Sequence, residues 1–224
     1  MPRTARVAPG GMVFHVLNRG VGRMRLFAKN RDYEAFEEII ERTLLSRPMR
    51  ICGYCLMPTH WHLVLWPERD GELGAFMQKL SVTHVRNWQE HRRQVGLGHV
   101  YQGRYKSFPV ESDEYFYQVL RYVERNALRA NLVQQAEQWR WSSLWRRLHG
   151  NSAQQSMLSD WPLPLPRTWR TIVNKPQTEA EVEAIRRSVT RGQPYGSEAW
   201  VQATARDLGL SSTLRRRGRP KQAR

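Results

Sequence analysis

Residues 57–67 read Met-Pro-Thr-His-Trp-His-Leu-Val-Leu-Trp-Pro. The apolar run at residues 63–66, closed by a proline, predicts a short buried strand that begins with the two histidines. Because residues two apart in a strand share a face, we expect His60 and His62 to lie side by side. Two neutral imidazoles in that relation can bind one divalent cation and leave its other positions open, as catalytic sites do. The spacing alone also fits two ordinary surface or core histidines.

The hydrophobic pattern on either side of this strand predicts an α+β domain. Apolar residues alternate in the predicted strands and recur at helical spacing in the predicted helices. The elements are strands at residues 12–18, 50–57, 60–66 and 104–110, and helices at residues 32–46, 72–90 and 113–126. A hairpin joins the second and third strands through a Pro-Thr turn. This order favours an antiparallel sheet with helices packed against it.

The composition indicates a folded protein with a polyanionic partner. The chain has 224 residues, of which 40% are hydrophobic and nine are tryptophan, which is enough for a substantial core. Its net charge is +16 and its pI is near 10.8. Most of the positive side chains are arginine, whose planar guanidinium suits phosphates and stacks on bases. Nucleic acid is therefore the expected partner, with a basic surface that only aids solubility as the alternative.

The sequence also predicts a cellular location. It has no run of about twenty apolar residues and no apolar signal segment near its beginning, so we expect a cytoplasmic protein with no membrane partner. Cys52 and Cys55 should remain thiols in a reducing compartment. As residues three apart in a strand they should face opposite sides of the sheet, which favours small core residues over half of a zinc site.

The chain is predicted to have four parts. Residues 1–149 form the main domain, and residues 150–177, rich in Ser, Gln and Pro, are expected to be a stiff linker. Residues 178–210 should form a small helical module that opens with a capping box of Thr178 and Glu181. The module is either a helix-turn-helix or a helix pair docked on the main domain. Residues 211–224 are a basic tail, expected to be disordered, that contains an Arg-Gly-Arg-Pro match to the AT-hook core.

A tyrosine and an amide on the third predicted helix form a second candidate constellation. Tyr122 and Asn126 are four residues apart and so neighbour each other on one helical face. The phenol could act as a nucleophile beside a third cation ligand, provided that a nearby cation or acceptor offsets its pKa of about 10. The alternative is an aromatic core residue whose hydroxyl reaches the rim.

Three motifs together resemble a known family. They are the His-x-His of residues 57–67, the Gly-Arg-Tyr-Lys-Ser-Phe of residues 103–108, and the Tyr-Val-Glu-Arg-Asn-Ala-Leu-Arg-Ala of residues 122–130. The chain resembles the single-tyrosine transposases of the HUH nuclease superfamily, and among them the REP-associated tyrosine transposases of bacteria. The resemblance extends from Val13 to about Trp145. A Pro-Tyr-Gly-Ser-Glu-Ala-Trp segment and the Arg-rich tail resemble the C-terminal extension of one branch of that group.

The resemblance implies a fold, a reaction and roles for named residues. The fold would be a ferredoxin-like or RRM-like HUH nuclease core. His60, His62 and Asn126 would bind Mg²⁺ or Mn²⁺, and Tyr122 would attack single-stranded DNA beside a REP-type hairpin to give a 5′-phosphotyrosine. Tyr115 and Tyr117 are worse nucleophile candidates because they lack an amide four residues on. The protein would act near the bacterial nucleoid, as a monomer or a homodimer.

Basic and aromatic residues near these motifs are the predicted DNA contacts, by stacking and by phosphate binding. They are Arg104, Tyr105 and Lys106 on the fourth strand, Arg125 and Arg129 after the tyrosine, and Arg92 and Arg93 in a basic loop. Solvated side chains without a nucleic-acid contact are the alternative for each. A non-catalytic protein that binds hairpin DNA or RNA is the alternative function. A zinc-dependent hydrolase is less well supported, because no His-x-Glu deaminase signature accompanies the histidines.

Overall fold

The protein is described here by a computed structural model that covers residues 7–215. Its centre is an antiparallel four-stranded sheet in the order β2-β3-β1-β4. The strands are β1 (Val13–Arg19), β2 (Arg50–Met57), β3 (His60–Trp66) and β4 (Lys106–Val110). The predicted α+β class is confirmed, and β2 and β3 have the bounds that the sequence predicts.

Helices cover both faces of this sheet. The first seven are α1 (Asn30–Ser46), α2 (Glu72–His91), α3 (Glu114–Glu124), α4 (Asn126–Arg129), α5 (Ser143–His149), α6 (Ser152–Gln155) and α7 (Trp169–Asn174). They are followed by α8 (Glu179–Arg191), α9 (Glu198–Asp207) and α10 (Ser211–Leu214). Short 3-10 turns lie at Val21–Arg23 and Ala136–Gln138. In the part of the chain that the structure describes, no helix is both long and apolar enough to cross a membrane.

Alternation along β3 divides the core into two layers. Trp61, Leu63 and Leu65 are fully buried on the face covered by α1 and α2. Val64 is buried on the opposite face, against α3. His60 and His62 share the parity of Val64 and therefore lie on the α3 face. The expectation that the two histidines share a face is met, and it places them next to the helix that carries Tyr122.

A β-bulge in β2 changes the expected positions of the cysteines. The register shifts between Ile51 and Gly53, so Cys52 is an extra residue in the strand. Cys52 and Cys55 consequently belong to the same buried cluster on the α3 face, not to opposite faces. Both are free and buried, and burial raises the pKa of each thiol to about 12. They are core residues, as expected, although the argument from strict alternation was wrong.

Gly53 allows α3 to approach the sheet closely. A Cβ at this position would lie 2.3 Å from Cδ1 of Leu120 and 3.0 Å from Oγ of Ser143. We therefore expect Gly53→Ala to reduce the free energy of unfolding by about 1–3 kcal/mol, the usual cost of overpacking a core. Gly74→Ala is the matched control, because a Cβ there meets nothing within 4 Å and should stabilise helix α2 slightly. Urea unfolding measures both, and an unchanged midpoint for Gly53→Ala would contradict the argument.

The predicted linker packs against the sheet. Trp161 and Trp169 are 9% and 4% exposed, and Nε1 of Trp161 donates to the carbonyl of Cys52 at 2.7 Å. Nε1 of Trp169 donates to the buried carboxylate of Glu124 at 2.7 Å. The prolines of residues 150–177 thus stiffen a segment that lies on the α3 face instead of separating two domains, because its tryptophans complete the core there.

The C-terminal helices also dock on the main domain. Ile185 of α8 is fully buried in the cluster on the α3 face, and Tyr195 extends the edge of β4 by pairing with Val110. The helices of residues 178–210 are therefore docked on the main domain, and a DNA-binding role for them stays a prediction. The predicted capping box is present, with Thr178 and Glu181 exchanging hydrogen bonds. The Arg-Gly-Arg-Pro match lies outside the described residues.

Candidate active site

A polar cleft opens where the ends of β1 and β3 meet α4 and α8. Its volume is about 440 Å³. It collects the four residues that the motifs single out for chemistry, together with basic side chains from three other elements. The lining residues are Leu17, Arg19, His60, His62, Gln102, Lys106, Tyr122, Asn126, Arg129, Arg186, Val189 and Thr190.

The two histidines present their Nε2 atoms for binding. Their ring centroids are 5.1 Å apart and the ring planes are almost perpendicular. Nδ1 of His62 is hydrogen-bonded to Nε2 of His15 at 2.9 Å, and Nδ1 of His60 to Oγ1 of Thr59 at 3.1 Å. Each ring therefore has its Nδ1 engaged, which leaves Nε2 as the nitrogen available in the cleft.

Burial keeps both histidines neutral near pH 7. Desolvation, together with the charges of Arg19 and Arg129, lowers the pKa of His60 to about 4. Desolvation and the neighbouring His15 hold the pKa of His62 well below its usual range. A neutral imidazole keeps a lone pair, which is the form that binds a cation.

Tyr122 lies at the back of the same cleft. Its ring meets the ring of His62 edge-on, with centroids 5.9 Å apart. The guanidinium of Arg129 lies over the opposite side of the phenol, 4.1 Å from the ring centroid. The tyrosine is 7% exposed, so its side chain is held by packing while still lining the opening.

The helix that carries Tyr122 ends earlier than the sequence pattern predicts. α3 stops at Glu124, Arg125 caps it, and the short α4 begins at Asn126. Arg125 keeps αR torsions, so Tyr122 and Asn126 still line one cleft as the spacing of four residues predicts. Burial of Glu124 raises the pKa of its carboxyl, against hydrogen bonds from Ser143 and Trp169 that lower it.

The predicted DNA contacts divide into two groups. Lys106 and Arg129 line the cleft, whereas Arg104, Tyr105, Arg92, Arg93 and Arg125 do not. Arg125 donates to the carbonyls of Val173 and Asn174, and Arg92 pairs with Asp32 at 3.1 Å. These two arginines therefore have structural partners, and all seven DNA contacts stay predictions.

The sequence patterns did not identify several residues that line the cleft. Leu17 and Arg19 follow from the alternation of β1, whose odd-numbered residues face α3, and this signal was present in the sequence. Arg186, Val189 and Thr190 come from α8, and only long-range docking brings them here. The pKa of Arg186 is raised first by its hydrogen bond to Glu183 and then by the phenol of Tyr122.

The other tyrosines of α3 serve the core. Tyr117 donates its hydroxyl to the carbonyl of Pro164 at 2.6 Å. Tyr115 packs edge-on against Tyr195, with ring centroids 5.4 Å apart. Neither lines the cleft, which supports the choice of Tyr122 as the candidate nucleophile.

Buried histidines should make the fold sensitive to acid. Desolvation lowers the pKa of His84 and His15 to about 3, whereas in the unfolded chain each has the ordinary histidine pKa of about 6.5. The unfolded state therefore binds more protons between these values, and stability falls as pH decreases, by up to about 1.4 kcal/mol per pH unit for each histidine. His84→Asn should flatten the dependence of the unfolding free energy on pH between 6.5 and about 5. The exposed His91→Asn should leave it unchanged, and an equal slope in both variants would contradict the assignment.

The fold and the cleft define a class of protein: an α+β domain that presents a His-x-His pair beside a helical tyrosine. A family model for IS200-like transposases matches residues 10–126, and the chain belongs to that family. None of the curated proteins matches its sequence.

Two solved structures are similar to the chain. A REP-associated tyrosine transposase bound to a REP hairpin has a TM-score of 0.54 at 17% identity, covering 80% of this chain and 93% of its own. A Deinococcus radiodurans R1 protein provisionally assigned as a transposase has a TM-score of 0.40 at 15% identity, covering 54% of this chain and 95% of its own. The first confirms the fold expected from the resemblance.

Proposed function

We propose that this chain is a single-stranded DNA nuclease and strand transferase that acts beside REP-type hairpins. The single observation that carries the proposal is the cleft in which Tyr122, His60, His62 and Asn126 meet. The family is one of transposases, and the structurally similar REP-associated transposase was solved with a REP hairpin. A net charge of +16 supports a nucleic-acid substrate, which would place the protein at the bacterial nucleoid.

The donor atoms of the cleft fit a divalent cation. Among residues 7–215, no group of three His, Cys, Asp or Glu side chains is placed to hold a metal, so two imidazoles need a ligand of another kind. The amide of Asn126 lines the same cleft. His60, His62 and Asn126 would hold Mg²⁺ or Mn²⁺, which would offset the charge of the scissile phosphate. Because imidazole is softer than the ligands that Mg²⁺ prefers, we expect Mn²⁺ to support the reaction better.

Tyr122 and Arg129 would have different roles in the reaction. Oη of Tyr122 would give its proton to solvent and form a bond to phosphorus, while the bond from phosphorus to the 3′ oxygen breaks and that oxygen takes up a proton from solvent. Arg129 lies against the phenol ring, 4.1 Å from its centroid, and would hold the ring in position and attract the phosphate. Since the phosphotyrosine keeps the bond energy, a second 3′-hydroxyl can reverse the step and join strands.

Positive side chains around the cleft would hold the DNA strand. Arg19, Lys106 and Arg186 come from different elements and surround the histidines. Nε of Arg19 is buried with no hydrogen-bond partner among the described residues, so a phosphate oxygen would satisfy a donor that the protein itself leaves unpaired. This arrangement favours a bound phosphate over a neutral ligand.

A labelled-oligonucleotide assay tests the proposal. The probes are hairpin oligonucleotides that carry the palindromes flanking the chain's own reading frame, with single-stranded extensions. One set is labelled at the 5′ end, which reports the nicked product, and a second set at the 3′ end, which reports the covalent adduct. We expect a nicked product and a covalent adduct with Mn²⁺ and neither product with EDTA. Tight binding of every probe without cleavage would favour the alternative, a protein that binds hairpin DNA or RNA without cutting it. The mass of the free protein in solution would separate monomer from homodimer.

A further inference from the structure

His15 contacts the candidate cation site without lining the cleft. It lies on β1, is fully buried, and its Nε2 is 2.9 Å from Nδ1 of His62. The two rings are stacked with centroids 5.1 Å apart. The ring of Phe108 also packs against the ring of His15, with centroids 4.9 Å apart. The sequence motifs do not include this histidine.

The short contact restricts the proton positions on both rings. Two nitrogens 2.9 Å apart must share one proton, because two lone pairs or two N–H groups would repel each other. If the proton is on Nδ1 of His62, the Nε2 of that ring keeps a lone pair for a cation. If the proton is on Nε2 of His15, the Nε2 of His62 carries a hydrogen and cannot bind one.

The other ring nitrogen of His15, Nδ1, indicates that packing alone does not explain why a histidine occupies this position. Nδ1 of His15 is buried and has no hydrogen-bond partner among residues 7–215. An apolar side chain of similar size would fill the same space without an unsatisfied polar atom. Thr59 contacts the other histidine of the pair, and its hydroxyl can donate or accept. His15 in contrast must take one tautomer to accept from His62.

We infer that His15 is a positioning residue that holds His62 in the tautomer able to bind the cation. It accepts the Nδ1 proton of His62, fixes the orientation of that ring, and leaves Nε2 bare in the cleft. The inference rests on the cation site of the proposed function. It adds a residue of β1 to that site.

The tautomer can be measured without a cation or a substrate. Long-range ¹H–¹⁵N correlation spectra of the full chain with ¹⁵N-labelled histidine, at neutral pH, report which nitrogen of each ring carries hydrogen. We expect the proton of His62 on Nδ1 and that of His15 also on Nδ1. A proton on Nε2 of His62 in the cation-free protein would overturn the inference.

Mn²⁺ binding, followed by electron paramagnetic resonance, provides the second test. We expect His15→Phe to weaken Mn²⁺ binding by about 10- to 100-fold, the usual effect of losing a residue that orients a ligating histidine. His15→Gln, whose amide oxygen can accept the same proton, should stay within about threefold of the unsubstituted protein. His84→Asn alters another buried histidine, one that does not line the cleft, and should leave the Mn²⁺ affinity unchanged.

The outcomes distinguish this inference from the proposed function. Equal Mn²⁺ affinity of His15→Phe and the unsubstituted protein would overturn the role of His15. If His15→Phe does not fold, the affinity of His15→Gln and the tautomer of His62 decide. Absence of any Mn²⁺ binding by the unsubstituted protein would end both proposals. Intact, His15-dependent Mn²⁺ binding without DNA cleavage would count against the nuclease alone.

Discussion

Replacement of Tyr122 by phenylalanine is expected to abolish the covalent protein–DNA adduct. The substitution removes only the hydroxyl that we propose attacks phosphorus and should reduce adduct formation on the order of 10⁴-fold or more. The ring keeps its contacts with His62 at 5.9 Å and with Arg129 at 4.1 Å, so hairpin binding should remain within about threefold. Denaturing gels with a labelled hairpin in Mn²⁺ measure the adduct, and gel shift measures binding.

The same helix supplies matched controls for this variant. Tyr115→Phe removes a hydroxyl from a ring that packs on Tyr195, outside the cleft. Tyr117→Phe removes one hydrogen bond, to Pro164, and should cost about 1 kcal/mol of stability. Both should form adducts normally. An adduct in Tyr122→Phe, or its loss in Tyr115→Phe alone, would transfer the nucleophilic role to another residue.

Replacement of His60 by alanine is expected to remove cation-dependent cleavage. His60 is only partly buried, so its replacement should leave the fold intact, whereas it removes one of the two imidazoles proposed to bind the cation. A cation that stabilises charge on a transferring phosphoryl group contributes several kcal/mol, so nicking should slow by at least about 10³-fold. The measurement is the rate of nicking at saturating Mn²⁺, with hairpin affinity determined in parallel.

An exposed histidine is the control for this experiment. His91→Ala changes a surface residue at the end of α2 and should cleave at the rate of the unsubstituted protein. Wild-type nicking by His60→Ala in Mn²⁺ would mean that the cation is held elsewhere or is not used. Loss of hairpin binding together with cleavage would instead indicate that His60 contacts DNA.

Local patterns predicted the part of the site that is local in sequence. A Pro-Thr turn connects β2 and β3, and Pro67 follows the end of β3. Both strands have the expected limits. A period of two placed His60 and His62 on one face, and a spacing of four put Tyr122 beside Asn126. Each of these relations depends on the backbone geometry of a short stretch of consecutive residues, which sequence fixes directly.

Contacts between distant elements were not predicted. Residues 150–177 have the composition of a linker, yet Trp161 and Trp169 bury their rings against the sheet. Two tryptophans in a polar segment were the available signal, since such side chains seldom remain in solvent. The bulge at Cys52 had no comparable signal, because an extra residue shifts the alternation without changing composition.

The family model ends at residue 126, but Arg186, Val189 and Thr190 of α8 line the cleft. Relatives that agree over the first region and diverge after residue 178 should therefore carry out one kind of chemistry on different nucleotide sequences. Exchange of α8 between two such relatives is expected to move target preference with it. On the proposed function, α8 would then contribute to the choice of target, whereas the proposed cation ligands and nucleophile lie within residues 10–126.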